Sequence, residues 1–309
     1  MKNKVITLFG GGGFVGRYVA QELLRAGARV RIAQRDPREA WFLKPLGGLG
    51  QTQFLATDVR RPDTIARAVA GADAVVNLVG ILDGAFDAVQ ADGARNIAEA
   101  AAAAGVRAMV QVSAIGADPQ SPSAYGRSKA AGEAAVRAAF PNATIIRPSI
   151  IFGREDQFVN RFARMVAVAP IVPVLAPATK FQPVYVADVA AAIVKALAEP
   201  GTHGGHLYEL GGPNIVSMSG LIRWIAEALG RRPRLFELPD SVGASISRLP
   251  GAPITRDQWA MLGRDNVASP GPAGLEAFGI TPTPLDTVAP EWLVQYRRHG
   301  RFGRKTAKA

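Results

Sequence analysis

Short apolar runs alternate with longer amphipathic stretches along the first half of the chain. Residues 5–9 form an apolar, β-branched run typical of a buried strand, and apolar residues then recur at helical spacing up to Gly27. Further strands are predicted at 29–34, 53–56, 73–80 and 107–113, and helices at 85–104 and 125–137. Regular alternation of this kind is typical of parallel βαβ units. The pattern predicts an α/β fold: a doubly wound, Rossmann-like parallel sheet with a smaller α/β C-terminal lobe and a basic tail.

The periodicity weakens in the second half of the chain. Three prolines interrupt the apolar run 166–178, which therefore cannot be one helix; it either forms a short strand and loop lining a cleft or faces a partner subunit or lipid headgroups. Asp188 is expected to cap a helix over 189–198, followed by a strand at 207–210. Either Ser217 or Ser219 is expected to open a helix that ends at Gly230.

We predict three parts of the chain. Residues 1–153 form the dinucleotide-binding core, and residues 154–296 form a C-terminal substrate or partner lobe. The two are interleaved, because a strand and helix near 183–198 return to the core. Residues 297–309 form a basic, flexible tail, since no carboxylate follows Glu291 while arginines and lysines crowd the end.

The glycine-rich run 10–16 lies between the first strand and the first helix. Glycines allow a sharp turn and close approach to a pyrophosphate, and the free amides of the helix start supply hydrogen bonds and a positive dipole. Strand, glycine turn and helix together predict a dinucleotide site. Ligands of such sheets bind beyond the carboxyl ends of the strands. The predicted cofactor-binding residues are Gly10, Gly12, Gly13, Phe14, Val15, Gly16, Arg35, Asp58, Val59, Val79, Gly80, Tyr125, Lys129 and Pro148.

The end of the second strand bears on the choice of cofactor. A carboxylate there suits the ribose 2′-hydroxyl of NAD, whereas an arginine suits the 2′-phosphate of NADP. Arg35 follows the strand and Asp36 comes next, so NADP(H) is favoured over NAD(H), with Asp36 pointing the other way. Both residues are also ordinary in turns.

Composition excludes several kinds of site. The chain has 309 residues and no cysteine, which rules out disulfides and thiolate–metal sites. We expect no metal site, because His203 and His206 stand in a glycine-rich surface turn without a third ligand nearby. The formal net charge of +11 favours acidic partners, yet no nucleic-acid module surrounds the basic residues and no nucleic acid is expected.

A candidate acid–base group consists of Ser113, at the end of the fifth predicted strand, and Tyr125 and Lys129 on the helix that follows it. Tyr125 and Lys129 lie four residues apart on a predicted helix, so they share one face. A lysine ammonium beside a tyrosine hydroxyl is expected to lower the pKa of the tyrosine, which then exchanges a proton near neutral pH. Ser113 ends the preceding strand and is placed to hold a substrate carbonyl.

These motifs resemble the extended or atypical short-chain dehydrogenase/reductase superfamily. Gly10, Gly13 and Gly16 match its G-x-x-G-x-x-G spacing, and Ser113, Tyr125 and Lys129 match its catalytic positions. The resemblance implies that Tyr125 is the general acid/base and that Lys129 also binds the nicotinamide ribose.

A narrower resemblance covers residues 4–212. The segments Tyr-Gly-Arg-Ser-Lys-Ala-Ala-Gly-Glu (125–133), Ile-Phe-Gly-Arg-Glu-Asp (151–156) and Phe-Gln-Pro-Val-Tyr-Val-Ala-Asp-Val (181–189) resemble the nucleotide-binding accessory subunits of respiratory complex I, alpha-subcomplex subunit 9, in their bacterial form. The resemblance implies a tightly held NADPH with a structural role and no established turnover.

Two main functions remain open at this stage. The chain is a non-catalytic NADPH-binding accessory subunit of bacterial complex I, or it is an NADPH-dependent reductase or epimerase-like enzyme acting on a small or quinone-like molecule. A sensor of the NADPH/NADP ratio is a third possibility. The first implies peripheral-arm subunits as partners and a cytoplasmic location on the inner face of the plasma membrane. There the 297–309 tail can meet an anionic surface.

Overall fold

The computed structural model describes residues 1–252, 254–298 and 300. The strands are β1 (Val5–Phe9), β2 (Arg29–Gln34), β3 (Thr52–Ala56), β4 (Ala74–Asn77), β5 (Ala108–Val112), β6 (Thr144–Pro148), β7 (Ile151–Phe152), β8 (Ile171–Val174), β9 (Lys180–Phe181), β10 (Val184–Tyr185), β11 (Leu207–Leu210), β12 (Val216–Ser217) and β13 (Arg234–Glu237).

The α-helices are α1 (Phe14–Arg25), α2 (Pro62–Val69), α3 (Asp92–Ala103), α4 (Ala124–Ala139), α5 (Val159–Val168), α6 (Val186–Ala198), α7 (Pro200–His203), α8 (Met218–Ala228), α9 (Asp240–Ile246), α10 (Arg256–Leu262), α11 (Leu285–Val288) and α12 (Pro290–Leu293). Short 3₁₀ helices span Pro37–Leu46, Leu275–Phe278 and Val294–Tyr296, and one π-helical turn spans Asp87–Ala91.

The chain divides into two compact units. The first comprises Met1–Pro148, Val186–Leu210 and Ala268–Thr281, and the second comprises Ser149–Tyr185, Gly211–Val267 and the described residues after Thr281. The first boundary between the units falls after Pro148, whereas the sequence predicts it after residue 153. Helix α6 belongs to the first unit.

The first unit is built on a seven-stranded sheet with the order β11-β6-β5-β4-β1-β2-β3. Every pairing in it is parallel. Helix α1 packs on α6, and α3 packs on both α2 and α4. Successive side chains of a strand face opposite sides, and every residue of β4 and β5 is buried, so helices cover both faces of the sheet. Phe9, Val75 and Met109 pack in the core that includes helices α2 to α4. The predicted doubly wound parallel sheet is confirmed.

The second unit contains three two-stranded pairs around a separate core. β7 pairs with β10 and β8 with β13 in parallel, and β9 pairs with β12 antiparallel. Helices α5 and α8 pack together over this core, which includes the buried residues Phe152, Ile222 and Trp292.

The structure sharpens or corrects several predicted elements. The predicted helix 85–104 begins with the π-helical turn and continues as α3, and Ser217, rather than Ser219, caps α8 by accepting from the Gly220 amide. The run 166–178 is indeed not one helix, because α5 ends at Val168 and β8 follows. The capping role of Asp188 was wrong: helix α6 begins at Val186, so Asp188 lies within its first turn.

Candidate functional site

The glycine run forms a tight turn between β1 and α1. Gly10 has a φ of 78°, donates its amide to Ala33 O at 3.0 Å, and accepts from the Gly13 amide at 3.0 Å. A Cβ on Gly16 would lie 2.4 Å from Gly10 O and 2.6 Å from Gly11 O, both backbone atoms. Only glycine therefore fits at position 16, and a positive φ favours it at position 10.

Helix α1 points an open N-terminus toward this turn. Its N-cap is Gly13, no side chain caps it within the described structure, and its first turn carries Phe14 and Val15 but no acidic residue. The amides at a helix start carry the positive end of the helix dipole, so this turn suits a phosphate group. The glycine cradle and the uncapped amides together fit the pyrophosphate of a dinucleotide.

A residue that the sequence analysis missed fixes the shape of the loop. Gln34 Oε1 accepts from the Gly12 amide at 2.9 Å, and Gln34 Nε2 donates to Asp36 O at 2.7 Å. A Cβ on Gly12 would lie 2.3 Å from Gln34 Oε1, so this hydrogen bond requires a residue without a side chain at position 12. The available signal was a glutamine at the carboxyl end of the second predicted strand.

The residues after β2 form a cationic edge. Arg35 is exposed, whereas both carboxylate oxygens of Asp36 are held by the Arg38 guanidinium at 2.7 to 3.2 Å. Asp36 also accepts from the Arg38 amide at 3.0 Å and caps the 3₁₀ helix. These hydrogen bonds from Arg38 lower the pKa of Asp36 to about 2. The carboxylate that weighed against NADP is therefore already engaged by its neighbour.

Asp58 follows β3 and has a similar partner. The Arg60 guanidinium binds it through contacts of 2.6 to 3.2 Å, and these hydrogen bonds, with a smaller contribution from the charge of Arg35, lower the pKa of Asp58 to about 2. Val59 is buried, and its carbonyl accepts from Asn96 Nδ2 at 3.0 Å.

The loop after β4 links the glycine turn to the predicted acid–base group. A Cβ on Gly10 would lie 3.5 Å from the Val79 amide nitrogen, which donates to Asn77 Oδ1 at 3.0 Å. A Cβ on Gly80 would lie 3.2 Å from Lys129 Nζ. Glycine at position 80 thus gives the lysine room beside the end of β4.

Two further predicted residues lie at the carboxyl ends of neighbouring strands: Ser113 follows β5 and Pro148 is the last residue of β6. The Ser113 amide donates to Ile146 O at 2.7 Å, and Pro148 O accepts from the Ile115 amide at 3.1 Å. Ser113 Oγ is buried and has no hydrogen-bond partner among the described residues. A buried, unpartnered hydroxyl beyond the carboxyl end of a strand is the group expected of a ligand contact.

Tyr125 and Lys129 lie on α4 as predicted, with Lys129 Nζ 5.8 Å from the centroid of the Tyr125 ring. Lys129 is buried and donates a long hydrogen bond of 3.4 Å to Val112 O. The predicted pKa shift of the tyrosine was wrong in sign. Burial raises the pKa of Tyr125 to about 12, and burial lowers the pKa of Lys129 to about 8 against an opposing contribution from Glu133.

Two buried residues that the sequence analysis missed support this helix. Gln90 Nε2 donates to Ser128 Oγ at 2.8 Å, and Gln90 Oε1 accepts from the Ile81 amide at 3.2 Å. Glu133 accepts from the Arg147 guanidinium at 2.7 and 2.8 Å. Polar residues spaced among buried alanines on a helix were the signal that could have found them.

The histidine prediction needs a correction. His203 is not in a surface turn: it is buried, stacks on Phe278 with ring centroids 4.5 Å apart, and places Nδ1 2.9 Å from the Tyr208 hydroxyl. Burial lowers the pKa of His203, which favours its neutral form. Within the described residues, no three histidine or acidic side chains are grouped as metal ligands.

Most of the predicted tail, His299 and residues 301–309, lies outside the described residues. Arg297 is described, and its Nε donates to Ala228 O at 3.0 Å. Among the described residues, no helix is long and apolar enough to cross a membrane.

The chain is similar to known proteins over nearly its full length. Residues 10–200 match the NAD(P)H-binding family model. The chain is 39% identical over 307 residues to the mouse mitochondrial NADH dehydrogenase [ubiquinone] 1 alpha subcomplex subunit 9, covering 96% of this chain and 81% of that protein. It is 33% identical over 241 residues to a ceramide reductase of Caulobacter vibrioides, covering 76% and 74%.

Among solved structures, the NADPH-dependent quinone oxidoreductase of Escherichia coli complexed with NADPH superimposes with a TM-score of 0.74 at 20% identity, over 92% of this chain and 98% of that one. At this identity the likeness shows the fold. The chain belongs to the NAD(P)H-binding family with an extended short-chain dehydrogenase/reductase-like fold, in the group that includes alpha-subcomplex subunit 9 of NADH dehydrogenase.

Proposed function

We propose that this chain is an NADP(H)-binding accessory subunit of bacterial respiratory complex I, with a structural and non-catalytic role. The observation that carries the proposal is the extent of the match: 96% of this chain aligns with a complex I subunit at 39% identity. Its partners are then the peripheral-arm subunits. Its location is the cytoplasmic side, peripheral on the inner face of the plasma membrane.

The cationic edge supports NADP(H) over NAD(H). Asp36 is engaged on both oxygens by Arg38, so it is poorly placed to accept from a ribose 2′-hydroxyl. Arg35 is exposed at the same edge and offers a guanidinium to a 2′-phosphate. We expect Arg35→Ser to weaken NADPH binding about tenfold, a loss of about 1.4 kcal/mol, with little effect on NADH. Titration calorimetry with both nucleotides measures this, and equal losses for both would contradict it.

The acid–base group supports a structural role. Burial raises the pKa of Tyr125 to about 12 and lowers the pKa of Lys129 to about 8, so the lysine does not bring the pKa of the tyrosine close to neutral pH. Lys129 and Tyr125 remain suited to hold the nicotinamide ribose. Their presence is therefore accounted for by cofactor binding without turnover.

Co-purification tests the role in the respiratory complex. The tagged full-length chain is purified from membranes in mild detergent, and its bound nucleotide is released and identified. We expect it to migrate with NADH:ubiquinone oxidoreductase activity and to carry NADP(H). Migration as a free protein without that activity would reject the proposal.

A second candidate, an NADPH-dependent reductase, is favoured by one observation: the buried Ser113 hydroxyl has no partner among the described residues. The relative named a ceramide reductase adds weight to it. In this case Ser113 donates a hydrogen bond to the substrate carbonyl oxygen, Lys129 holds the cofactor ribose, and Tyr125 gives a proton to the reduced oxygen. The nicotinamide supplies hydride to the carbonyl carbon when bound.

Substrate assays separate the two candidates. NADPH oxidation is followed with quinones and with long-chain keto compounds, for the native chain and for Tyr125→Phe. Turnover that disappears in Tyr125→Phe would establish the reductase. Absence of turnover across the panel, in protein that binds NADPH, favours the accessory subunit.

A further inference from the structure

Exposed apolar side chains lie on the 3₁₀ helix Pro37–Leu46 and in the loop that follows it. The large ones form one short stretch, which we name the 41–49 face: Trp41, Phe42, Leu46 and Leu49. Trp41 is 50% exposed and Leu49 is fully exposed. Single exposed apolar residues need no explanation, but four within nine positions of one segment concentrate apolar exposure in one part of the surface, as interaction sites do.

The backbone under this face is well held. Ala40 and Leu43 are buried, and Asp36 caps the 3₁₀ helix. After the 3₁₀ helix, Gln51 holds the loop: its Oε1 accepts from the Gly48 amide at 2.6 Å, and its carbonyl oxygen accepts from the Val30 amide at 2.7 Å. The exposure of Leu49 is therefore a property of a folded loop.

The charges around the face are mainly positive. Residues 40–57 contain no carboxylate. Lys44 Nζ lies 4.0 Å from the centroid of the Trp41 ring, and the Arg17 guanidinium lies 4.7 Å from that of Phe42. Both cations therefore lie within cation–π distance of the aromatic rings of the face.

More cations lie at the base of the loop. A Cβ on Gly47 would contact Leu24, and Gln51 Nε2 donates to Ala28 O at 3.2 Å, so the loop packs against the turn between α1 and β2. That turn carries the exposed Arg25 and Arg29. Of the nearby acidic side chains, Glu22 binds Arg25 at 2.7 Å and Asp36 binds Arg38. Glu39, in the first turn of the 3₁₀ helix, is exposed, so the cations Arg17, Arg29 and Lys44 outnumber it.

We propose that the 41–49 face binds an anionic lipid surface. Aromatic rings with cations beside them are favoured at the membrane–water interface, and exposed leucines enter the acyl boundary. The basic residues at its base would meet acidic headgroups. The exposure increases from Trp41 and Phe42 to Leu49, which suits a face that enters a lipid surface with its aliphatic loop leading.

This inference goes beyond the proposed function and is independent of it, because it concerns the isolated chain and vesicles. The experiment compares Leu49→Glu with Leu249→Glu. Leu249 is also a well-exposed leucine, at 62%, in the second unit, so both variants lose the same side chain and gain the same charge. Flotation with phosphatidylcholine vesicles, with and without phosphatidylserine, gives the partition of the full-length chain.

We expect the native chain to bind the phosphatidylserine vesicles preferentially. Leu49→Glu lowers that partition about tenfold, whereas Leu249→Glu changes it about twofold or less. Tryptophan emission shifts to the blue on binding, and this shift is reduced in Trp41→Phe while binding is largely retained. Thermal melting of each glutamate variant at the temperature of the native chain shows that both variants are folded.

Three outcomes overturn the proposal. Equal losses in the two glutamate variants would place the binding elsewhere on the chain, such as its basic C-terminal residues. Binding that does not depend on phosphatidylserine would remove the charge argument. A native dimer that Leu49→Glu converts to a monomer would identify a second copy of the chain as the occupant. If the chain fails to co-purify with complex I activity, the proposed function is rejected, but the vesicle-binding measurement still stands.

Discussion

At the scale of single residues, position 16 is the most constrained point of the candidate site. A side chain there would meet two backbone carbonyls, Gly10 O at 2.4 Å and Gly11 O at 2.6 Å, and backbone has little room to move. We expect Gly16→Ala to weaken NADPH binding at least tenfold, measured by calorimetry. Gly201→Ala is the control, because a Cβ at Gly201 meets nothing within 4 Å. Equal affinities in the two variants would refute the geometry of the loop.

The buried ammonium of Lys129 makes stability depend on pH. Its pKa is lowered from 10.5 to about 8, so between these values the unfolded chain holds a proton that the folded chain has released. Stability attributable to this group therefore rises with pH across the window, by about 3 kcal/mol in all.

We expect Lys129→Met to be more stable than the native chain near pH 7, with the difference shrinking as the pH rises from about 8 to 10. Urea unfolding of the nucleotide-free proteins at several pH values measures it. A difference that stays constant, or that widens with pH, would contradict the burial of a charged Lys129.

Residues whose role depends on local pattern could be predicted, and those that depend on distant partners could not. The glycine loop was predictable because a strand and a helix flank it in sequence. Burial of His203 was not, because its stacking partner Phe278 lies far along the chain. The sign of the Tyr125 pKa shift was missed for a related reason: spacing on a helix gives proximity to Lys129, whereas desolvation depends on everything packed around the ring.

At the scale of elements, helix α4 is fixed to the sheet by a buried ion pair. Glu133 is buried, and Arg147 on β6 binds both of its oxygens, at 2.7 and 2.8 Å. Removing Glu133 takes the two short contacts from the Arg147 guanidinium and leaves it the longer one to Glu209, at 3.4 Å. We therefore expect Glu133→Ala to lower the free energy of unfolding by about 2 kcal/mol or more.

The control for this pair is an exposed one. Arg95 binds Asp92 on α3 at 2.8 Å, with both side chains about half exposed. We expect Arg95→Ala to cost less than about 1 kcal/mol, because solvent screens surface pairs. Denaturant unfolding of both variants gives the comparison. Similar losses in the two would mean that the Glu133 pair does not fix α4.

The elements of the parallel sheet were predictable because each strand and its following helix are neighbours in sequence with clear periodicity. Strands β1 and β2 have the bounds expected of them. The second unit was much less accessible. Strand β8 pairs with β13 and β9 pairs with β12, and each strand is only two to four residues long, so no periodic pattern identifies the partner.

At the scale of the whole molecule, a complete set of reductase-type residues is combined with a chain-wide likeness to a complex I subunit. In the account proposed here, the nucleotide stabilises the first unit as part of a docking surface. The contacts between the cofactor and the glycine loop then stabilise the surface on which partner subunits assemble, and proton transfer by Tyr125 is not required.

The most direct test is complex I activity in membranes of cells whose only copy of the chain carries Tyr125→Phe or Gly16→Ala. A structural role predicts nearly native activity with Tyr125→Phe, which removes only the proton-transferring hydroxyl, and a large loss with Gly16→Ala, which disrupts the nucleotide loop. Loss of activity with Tyr125→Phe in chains that still bind NADPH, or native activity in both, would contradict the account.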